Sequence, residues 1–332
     1  MAKGSAAGLK WLASRATANY RVALRAGGGG MVELADFKWS IWTSWFYELT
    51  FPEAVAKIGE VGFEYVEVSA EHLNELVYLR RGEAAFLDVS SLPRLRKLKR
   101  QLGVTSFSDA IESVRAYGLR AIHAHGPFDA TQLAILSYPD FSELVAKVGA
   151  WLEVCAELGA DALVLHPVAV SEAHPRLSER VNWLLFDSMA RVAGEWGVKV
   201  AIENMDRGRW SNVSDIVRLL SSVRRPEHMG VCLDTGHANI PRRYKLAPHA
   251  AVDEAASWLA ATHVSDNFGE FDNHLFPGRG TIDWADVLGA FSKVGYSAPL
   301  NLEVPGETEG LSTQEKAERL SRYAASALGV RS

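Results

Sequence analysis

Six side chains that can bind a metal ion recur at regular intervals along this 332-residue sequence, each at the end of a short apolar run: His125, His166, Glu203, Asp234, His263 and Glu303. Roughly 30 to 40 residues, the length of one strand–helix unit, separate neighbouring members. Nitrogen and oxygen ligands without thiolates suit zinc, manganese, cobalt or magnesium. Three carboxylates in a partly buried site also repel one another unless one is protonated or a cation lies between them. The set therefore predicts one divalent metal ion (Mn, Zn, Co or Mg).

Further polar residues follow the same apolar runs: His237, Asp272, His274 and Arg279. The candidates for extra metal ligands are His125, His166, His237, Asp272 and His274. Some loop residues have an equally good structural explanation, since Asp266 and Asp272 are also typical turn-forming residues and Arg279 a solvated charge. Glu67, near the end of an earlier run, is more typical of a structural residue.

A repeated unit positions these side chains. Amphipathic helical stretches end in glycine and are followed by short β-branched or apolar runs, five times in the chain: after Gly62, Gly118, Gly159, Gly197 and Gly295. Glycine supplies the left-handed residue that stops a helix. Apolar runs near 39–45, 230–234 and 261–264 bring the number of predicted strands to eight. The sequence therefore predicts a single (β/α)8 TIM barrel over residues 37–328, whose strand ends meet at one mouth. A doubly wound open sheet is less favoured because no GxGxxG motif is present.

Composition narrows the function classes. With 48% hydrophobic residues the chain can bury the core of one barrel domain, and a net charge of -5 argues against a surface built for non-specific nucleic-acid or membrane binding. Two cysteines without CxxC spacing indicate neither a disulfide framework nor a thiolate zinc site. We expect a cytoplasmic protein without a membrane span. Residues 1–30 are basic and acid-free and end in four glycines, which predicts a short disordered extension, a transit peptide, or a true start at Met31.

Five motifs, in order, carry a family resemblance: AIENM, CLDTGHAN, THVSDN, DNHLFPGRGTIDW and NLEVPGE. Together they resemble the xylose isomerase-like TIM barrel superfamily, and in particular its sugar phosphate isomerase/epimerase group, over roughly residues 37–328. The resemblance implies that four strand-end residues hold the metal: Glu203, Asp234, His263 and Glu303. It also implies that His166 and His237 contact the substrate. We extend this expectation to the other polar residues near the same strand ends: His125, His274 and Arg279.

The same superfamily contains the endonuclease IV DNA-repair enzymes, which hold three zinc ions with nine ligands. Counterparts of all nine exist here: His125, His166, Glu203, Asp234, His237, His263, Asp272, His274 and Glu303. Against this alternative, the run after Glu203 is NMDRGRW instead of a Thr-Ala-Gly-Gln-Gly-like run, and Gly236 stands where those enzymes usually have cysteine. Nucleic acid is an expected partner only under this alternative.

The isomerase interpretation gives each ligand a task. Glu203 and Glu303 act as paired general acid and base in proton transfer next to a carbonyl, and Asp234 and His263 fix the metal. The three carboxylates leave one negative charge around one divalent ion, which a neutral polyol tolerates, whereas three zinc ions with Asp272 added leave a positive site suited to a phosphodiester. A basic set after the fifth and sixth strands suits a phosphate or DNA groove: Arg207, Arg209, Arg242, Arg243 and Lys245. The sugar, its phosphorylation and homo-oligomerisation stay open.

Overall fold

The computed structural model describes residues 32–82, 106–128, 130–132, 136, 138–170, 173–241 and 245–330. The predicted extension 1–30, with Arg242 and Arg243, therefore lies outside the described residues. Eight parallel strands follow one another around the sheet: β1 (Trp39–Trp42), β2 (Tyr65–Val68), β3 (Arg120–His125), β4 (Ala162–Leu165), β5 (Lys199–Glu203), β6 (Met229–Asp234), β7 (Leu259–His263) and β8 (Leu300–Leu302). Consecutive strands from β1 to β7 pair with one another, and β1 also pairs with β8.

The two ends of this sheet meet between β7 and β8. The Val264 backbone N–H donates to the carbonyl of Asn301 at 2.7 Å, the Glu303 N–H donates to the carbonyl of Val264 at 3.2 Å, and a parallel bridge joins Val264 to Leu302. These contacts complete a closed TIM barrel, as predicted.

Helices connect the strands on the outside. They are α1 (Phe51–Val61), α2 (Ala70–Arg81), α3 (Phe107–Ala116), α4 (Ser142–Leu158), α5 (Pro175–Trp196), α6 (Val213–Leu220), α7 (Thr235–Asn239), α8 (Pro248–Ala255), α9 (Trp284–Lys293) and α10 (Thr313–Tyr323). The five glycines of the repeated unit all have positive φ, for example 99° at Gly62 and 72° at Gly159. The left-handed stop predicted for each helix is therefore confirmed.

Helix α4 shows how the helices pack. The predicted apolar face is wholly buried: Leu144, Val148, Trp151, Cys155 and Leu158. Both cysteines, Cys155 and Cys232, are free and buried. The strand predicted near 39–45 ends earlier, because residues Thr43–Phe46 turn into a 3-10 helix that leads to α1. None of the described helices is long and apolar enough to cross a membrane.

Candidate metal centre and active site

The six spaced side chains meet at one mouth of the barrel. Parallel strands all end at this mouth, and each of the six is the last residue of its strand or the residue after it. Five are buried, whereas the His166 side chain retains 16% of its accessible surface. The structure thus brings together every residue that strand-end spacing singled out.

Four of these residues form the centre of the site. Ligand atoms of Glu203, Asp234, His263 and Glu303 lie within 4.8 Å of one another. The Nδ1 atom of His263 lies 2.8 Å from Glu303 Oε2 and 3.3 Å from Glu203 Oε2. Two of the facing atoms, Asp234 Oδ2 and His263 Nδ1, are buried without a hydrogen-bond partner among the described residues. Buried polar atoms are normally satisfied, so this donor set fits a divalent cation.

Charge repulsion at the centre appears in the pKa values. Burial raises the pKa of Asp234, and with the nearby carboxylates Asp272, Glu203 and Glu303 it outweighs the opposing effect of His237, giving about 7. Burial also favours the neutral form of Glu203 and Glu303, but His263 and other histidines more than offset it and hold their pKa values low. Two ionised glutamates therefore lie next to an aspartate whose pKa is raised. A cation between them would stabilise the ionised form of all three.

A pair of histidines flanks the centre on one side. The Nε2 atoms of His125 and His166 each lie 3.1 Å from Glu203 Oε2. Their rings stand 5.1 Å apart and nearly perpendicular, at 88°. Both rings thus face one carboxylate oxygen of the central set, where they can hold a substrate hydroxyl or a second ion.

A second pair flanks the other side around Asp272. The Oδ2 atom of Asp272 lies 3.1 Å from His237 Nε2 and 2.6 Å from His274 Nε2. Burial lowers the pKa of His274, but the hydrogen bond to Asp272 and neighbouring acids raise it to about 9. The His237 backbone N–H also donates to Asp234 Oδ1 at 2.6 Å, which ties this cluster to the centre. All nine counterparts of the endonuclease IV ligands therefore converge.

Two loop residues have other partners. The Asp266 carboxylate accepts hydrogen bonds from the Gly278 N–H at 3.0 Å and from Trp284 Nε1 at 2.9 Å. Gly280 packs so closely that a Cβ atom there would lie 2.3 Å from Asp266 Oδ1. Asp266 thus holds the loop 264–284 in shape, which is the structural explanation considered above. Arg279 forms an ion pair with Glu307, and its contact with substrate stays a prediction.

Three residues at the site were missed by the sequence analysis. Phe128 packs its ring 4.7 Å from that of His125 and 6.3 Å from that of Trp42, and it is 37% exposed. Phe128 and Trp42 are two of the three, and the third is Cys232. The Sγ atom of Cys232 lies within 4.8 Å of ligand atoms of Glu203 and His263. Trp42 ends β1 and Cys232 lies two residues before Asp234, so strand-end position and alternation were signals for both, whereas Phe128 lies in a loop without periodicity.

Comparison with known proteins assigns the family. Residues 55–326 match the family described as xylose isomerase-like TIM barrel. The uncharacterized protein y4fM of Sinorhizobium fredii is 31% identical over 174 residues, which are 51% of this chain and 55% of y4fM, so the chain matches about half the length of that relative. A probable endonuclease 4 of Halorhodospira halophila is 28% identical over 225 residues, which are 61% of this chain and 74% of that protein.

Solved structures agree on the fold. A D-tagatose 3-epimerase-like protein superposes with a TM-score of 0.64 at 18% identity, covering 89% of this chain and 98% of that one. The IOLI protein with a bound zinc atom superposes with a TM-score of 0.65 at 16% identity, covering 89% of this chain and 100% of that one. At these identities the likeness shows the fold alone. Together with the match over residues 55–326, it follows that the chain belongs to the xylose isomerase-like TIM barrel family.

Proposed function

We propose that this chain is a metal-dependent isomerase or epimerase of a small sugar or sugar derivative. The observation that carries the proposal is the pairing of two glutamates, Glu203 from β5 and Glu303 after β8, within 3.3 Å and 2.8 Å of the same His263 nitrogen. Both carboxyl groups have lowered pKa values and are therefore ionised at neutral pH. A substrate carbon held between them has a proton acceptor from each of two strands.

The centre assigns a task to each residue. Glu203, Asp234, His263 and Glu303 would hold one divalent ion, which when bound supplies a Lewis acid that stabilises charge on the substrate oxygens. One glutamate removes the proton from the carbon beside the carbonyl. The other, once it has taken up a proton from solvent, delivers it to the neighbouring carbon or to the opposite face. The flanking histidines His125, His166 and His237 are placed to orient substrate hydroxyls. Phe128 and Trp42 would form an apolar wall on one side of the bound substrate.

Similar structures make keto sugars the first substrates to test. They include a D-psicose 3-epimerase with D-fructose, at 18% identity and a TM-score of 0.63, and a 3-keto-D-glucoside 4-epimerase, at 16% identity and a TM-score of 0.62. The IOLI protein with its zinc atom supports a metal in the same kind of barrel. These likenesses supply a substrate class for the proposal, while the residues of this chain supply its chemistry.

A three-zinc DNA endonuclease is the second candidate, because the two flanking clusters complete a nine-residue set. Two local features favour the first proposal. A Cβ atom on Gly236 would lie 2.3 Å from Ser265 Oγ, so the cysteine usual in the repair enzymes does not fit without repacking. The Asn204 side chain accepts from the Asp234 N–H at 2.8 Å and donates to the Asp234 carbonyl at 3.0 Å. This clamp stands where the repair enzymes have their own short run after the central glutamate.

One experiment separates the two candidates. Metal-loaded protein is incubated in deuterated water with ketoses, aldoses and inosose-like polyols, and in parallel with an abasic-site duplex. We expect solvent deuterium to enter carbon in at least one sugar, because proton abstraction exchanges even when net conversion is small. Glu203→Gln and Glu303→Gln should each suppress that exchange, whereas Glu75→Gln, a buried carboxylate outside the site, should not. Efficient cleavage of the duplex, with about three zinc ions per chain and no exchange into any sugar, would establish the endonuclease instead.

A further inference from the structure

One carboxylate lies inside the barrel directly beneath the candidate metal centre. Glu67 is fully buried on β2. Its Oε2 atom lies 3.1 Å from His263 Nε2, 2.7 Å from His123 Nδ1 and 2.8 Å from Asn301 Nδ2. Three nitrogens from three strands thus converge on one oxygen. The sequence favoured a structural role for Glu67, but this contact set reaches a predicted metal ligand.

The contact fixes which nitrogen of His263 faces the centre. A carboxylate oxygen approached by the Asn301 amide N–H acts as an acceptor, so the proton in the His263 contact belongs to Nε2. When the ring is neutral, as metal binding requires, its lone pair therefore lies on Nδ1. Nδ1 is the atom that faces Glu303 and Glu203. A metal needs that lone pair, and the contact below the ring keeps it available.

We propose that Glu67 is a positioning residue of the candidate metal centre, which sets the tautomer and ring orientation of His263 and thereby raises the affinity for a divalent ion. The inference rests on the metal centre of the proposed function and not on its sugar chemistry. Carboxylates that accept from the second nitrogen of a metal-bound histidine orient the ring and increase its basicity. Glu67 meets this requirement without touching the substrate space, because it lies below the ring.

The surroundings of Glu67 leave it little freedom. His123 is 2% exposed and Asn301 is fully buried. The Asn301 backbone N–H also donates to Thr262 Oγ1 at 3.1 Å, next to His263 in the chain. Oε2 is therefore held by groups from β3 and β8 while it bonds a residue of β7. A carboxylate anchored from two other strands can hold the ring of His263 at a defined angle.

Metal affinity measures this role independently of catalysis. The full-length protein is stripped with a chelator and titrated with Co²⁺ and Mn²⁺ by calorimetry. Glu67→Leu removes the acceptor at similar volume, and we expect it to bind about 10- to 100-fold more weakly, the usual effect of losing such a support. Glu67→Gln keeps one acceptor oxygen without the charge and should fall between. Glu75→Leu is the matched control, since it removes a carboxylate that is 2% exposed, accepts from the Phe51 N–H and belongs to none of the candidate ligand groups.

A second readout follows the nitrogen atoms directly. In zinc-loaded protein labelled with ¹⁵N-histidine, His263 should keep its proton on Nε2 and bind zinc through Nδ1. Zinc bound through Nε2 of the wild-type ring would overturn the inference even if Glu67→Leu fails to fold. Affinity of Glu67→Leu within about twofold of wild type, well below the usual effect, would also overturn it.

The outcomes separate this inference from the proposed function. Weakened metal binding in Glu67→Leu, with no deuterium exchange by wild type on any sugar, refutes the isomerase and leaves the role of Glu67 standing. If the wild type exchanges deuterium into a sugar and Glu67→Leu binds metal with unchanged affinity, the isomerase stands and the role of Glu67 is refuted. A wild-type chain that binds no divalent ion overturns both.

Discussion

The two sides of the barrel interior are built from different side chains. Strands β4 to β7 contribute a small apolar cluster: Ala162, Val164, Ala201, Cys232 and Ala261. Strands β1, β2, β3 and β8 contribute buried polar residues at a similar depth: Ser40, Glu67, His123 and Asn301. Buried polar groups are costly unless they are hydrogen-bonded. Of these residues, Glu67 contacts Nε2 of His263, the candidate ligand whose Nδ1 faces the centre.

The carboxylate of Asp234, a candidate metal ligand, is held in another way. Asp234 receives the His237 N–H at 2.6 Å and is clamped through its backbone by Asn204. The residues that support Asp234 follow strands β5 and β6. The side chains of the barrel interior on this side pack as an apolar cluster. One centre can thus orient a histidine by a contact inside the barrel and a carboxylate by contacts with residues that follow the strands. We call these residues after the strand ends the rim.

The largest effect is expected from the rim. Asp234→Asn removes a charge and replaces one carboxylate oxygen with an amide nitrogen that cannot bind a cation. We expect metal affinity to fall by more than about 100-fold, beyond the range typical of supporting residues, with activity lost and the circular dichroism spectrum unchanged. Metal content after dialysis provides the measurement. If the variant retains the full metal content, Asp234 is not a ligand and the rim is not the supporting side.

Metal removal should give the next largest effect. An ion that binds only the folded state at 100 times its Kd stabilises by about 2.7 kcal/mol, which corresponds to roughly 4 °C in Tm for a chain of this size. Chelation followed by calorimetry measures the shift, and re-addition of metal should reverse it. Asp234→Asn is the control, because it should show no shift. Equal shifts in both proteins would mean that the ion binds elsewhere.

The apolar side should respond in stability and not in metal binding. Val164→Ala deletes two buried carbons, so we expect a loss of about 1–3 kcal/mol from transfer and cavity terms. Chemical denaturation measures the loss, and a cobalt titration of the same variant should give the wild-type affinity. A tenfold change in that affinity would show that the apolar side also sets the geometry of the centre.

The smallest effect is a pH dependence at the rim. Because the pKa of His274 is raised to about 9, its ion pair with Asp272 stabilises the metal-free protein below the unfolded pKa of about 6.5, and this stabilisation is lost as pH rises through 9. The Tm of the metal-free protein should therefore fall between pH 7 and 9, and it should fall less in His274→Gln. Parallel curves for the two proteins would exclude this pair as the source.

The fold and the convergence of the four central residues were predictable because their signals are local. A glycine with positive φ follows each helix of the repeated unit, and a side chain reaches the mouth if it is the last residue of its strand or the residue after it. His263 and Glu303 satisfy that rule in the chain itself. The barrel and the four central residues could therefore be predicted before any distance was measured.

The support beneath His263 was not predictable in the same way. Glu67 and Asn301 are 234 residues apart in the chain and meet only because the barrel closes. His123 reaches Glu67 because the register of β2 and β3 shifts between Val66 and Glu67. Neither closure nor a local register shift leaves a periodic trace in the sequence, so Glu67 resembled an ordinary structural residue.

The joint between β7 and β8 gives the barrel a seam. A single parallel bridge joins these strands, whereas every other neighbouring pair forms a ladder of three or more residue pairs. His263 and Glu303 stand on opposite sides of that seam. An ion bound by both residues would cross-link the two strands that share the fewest residue pairs. Metal binding would therefore also stabilise the closed barrel against separation of β7 from β8.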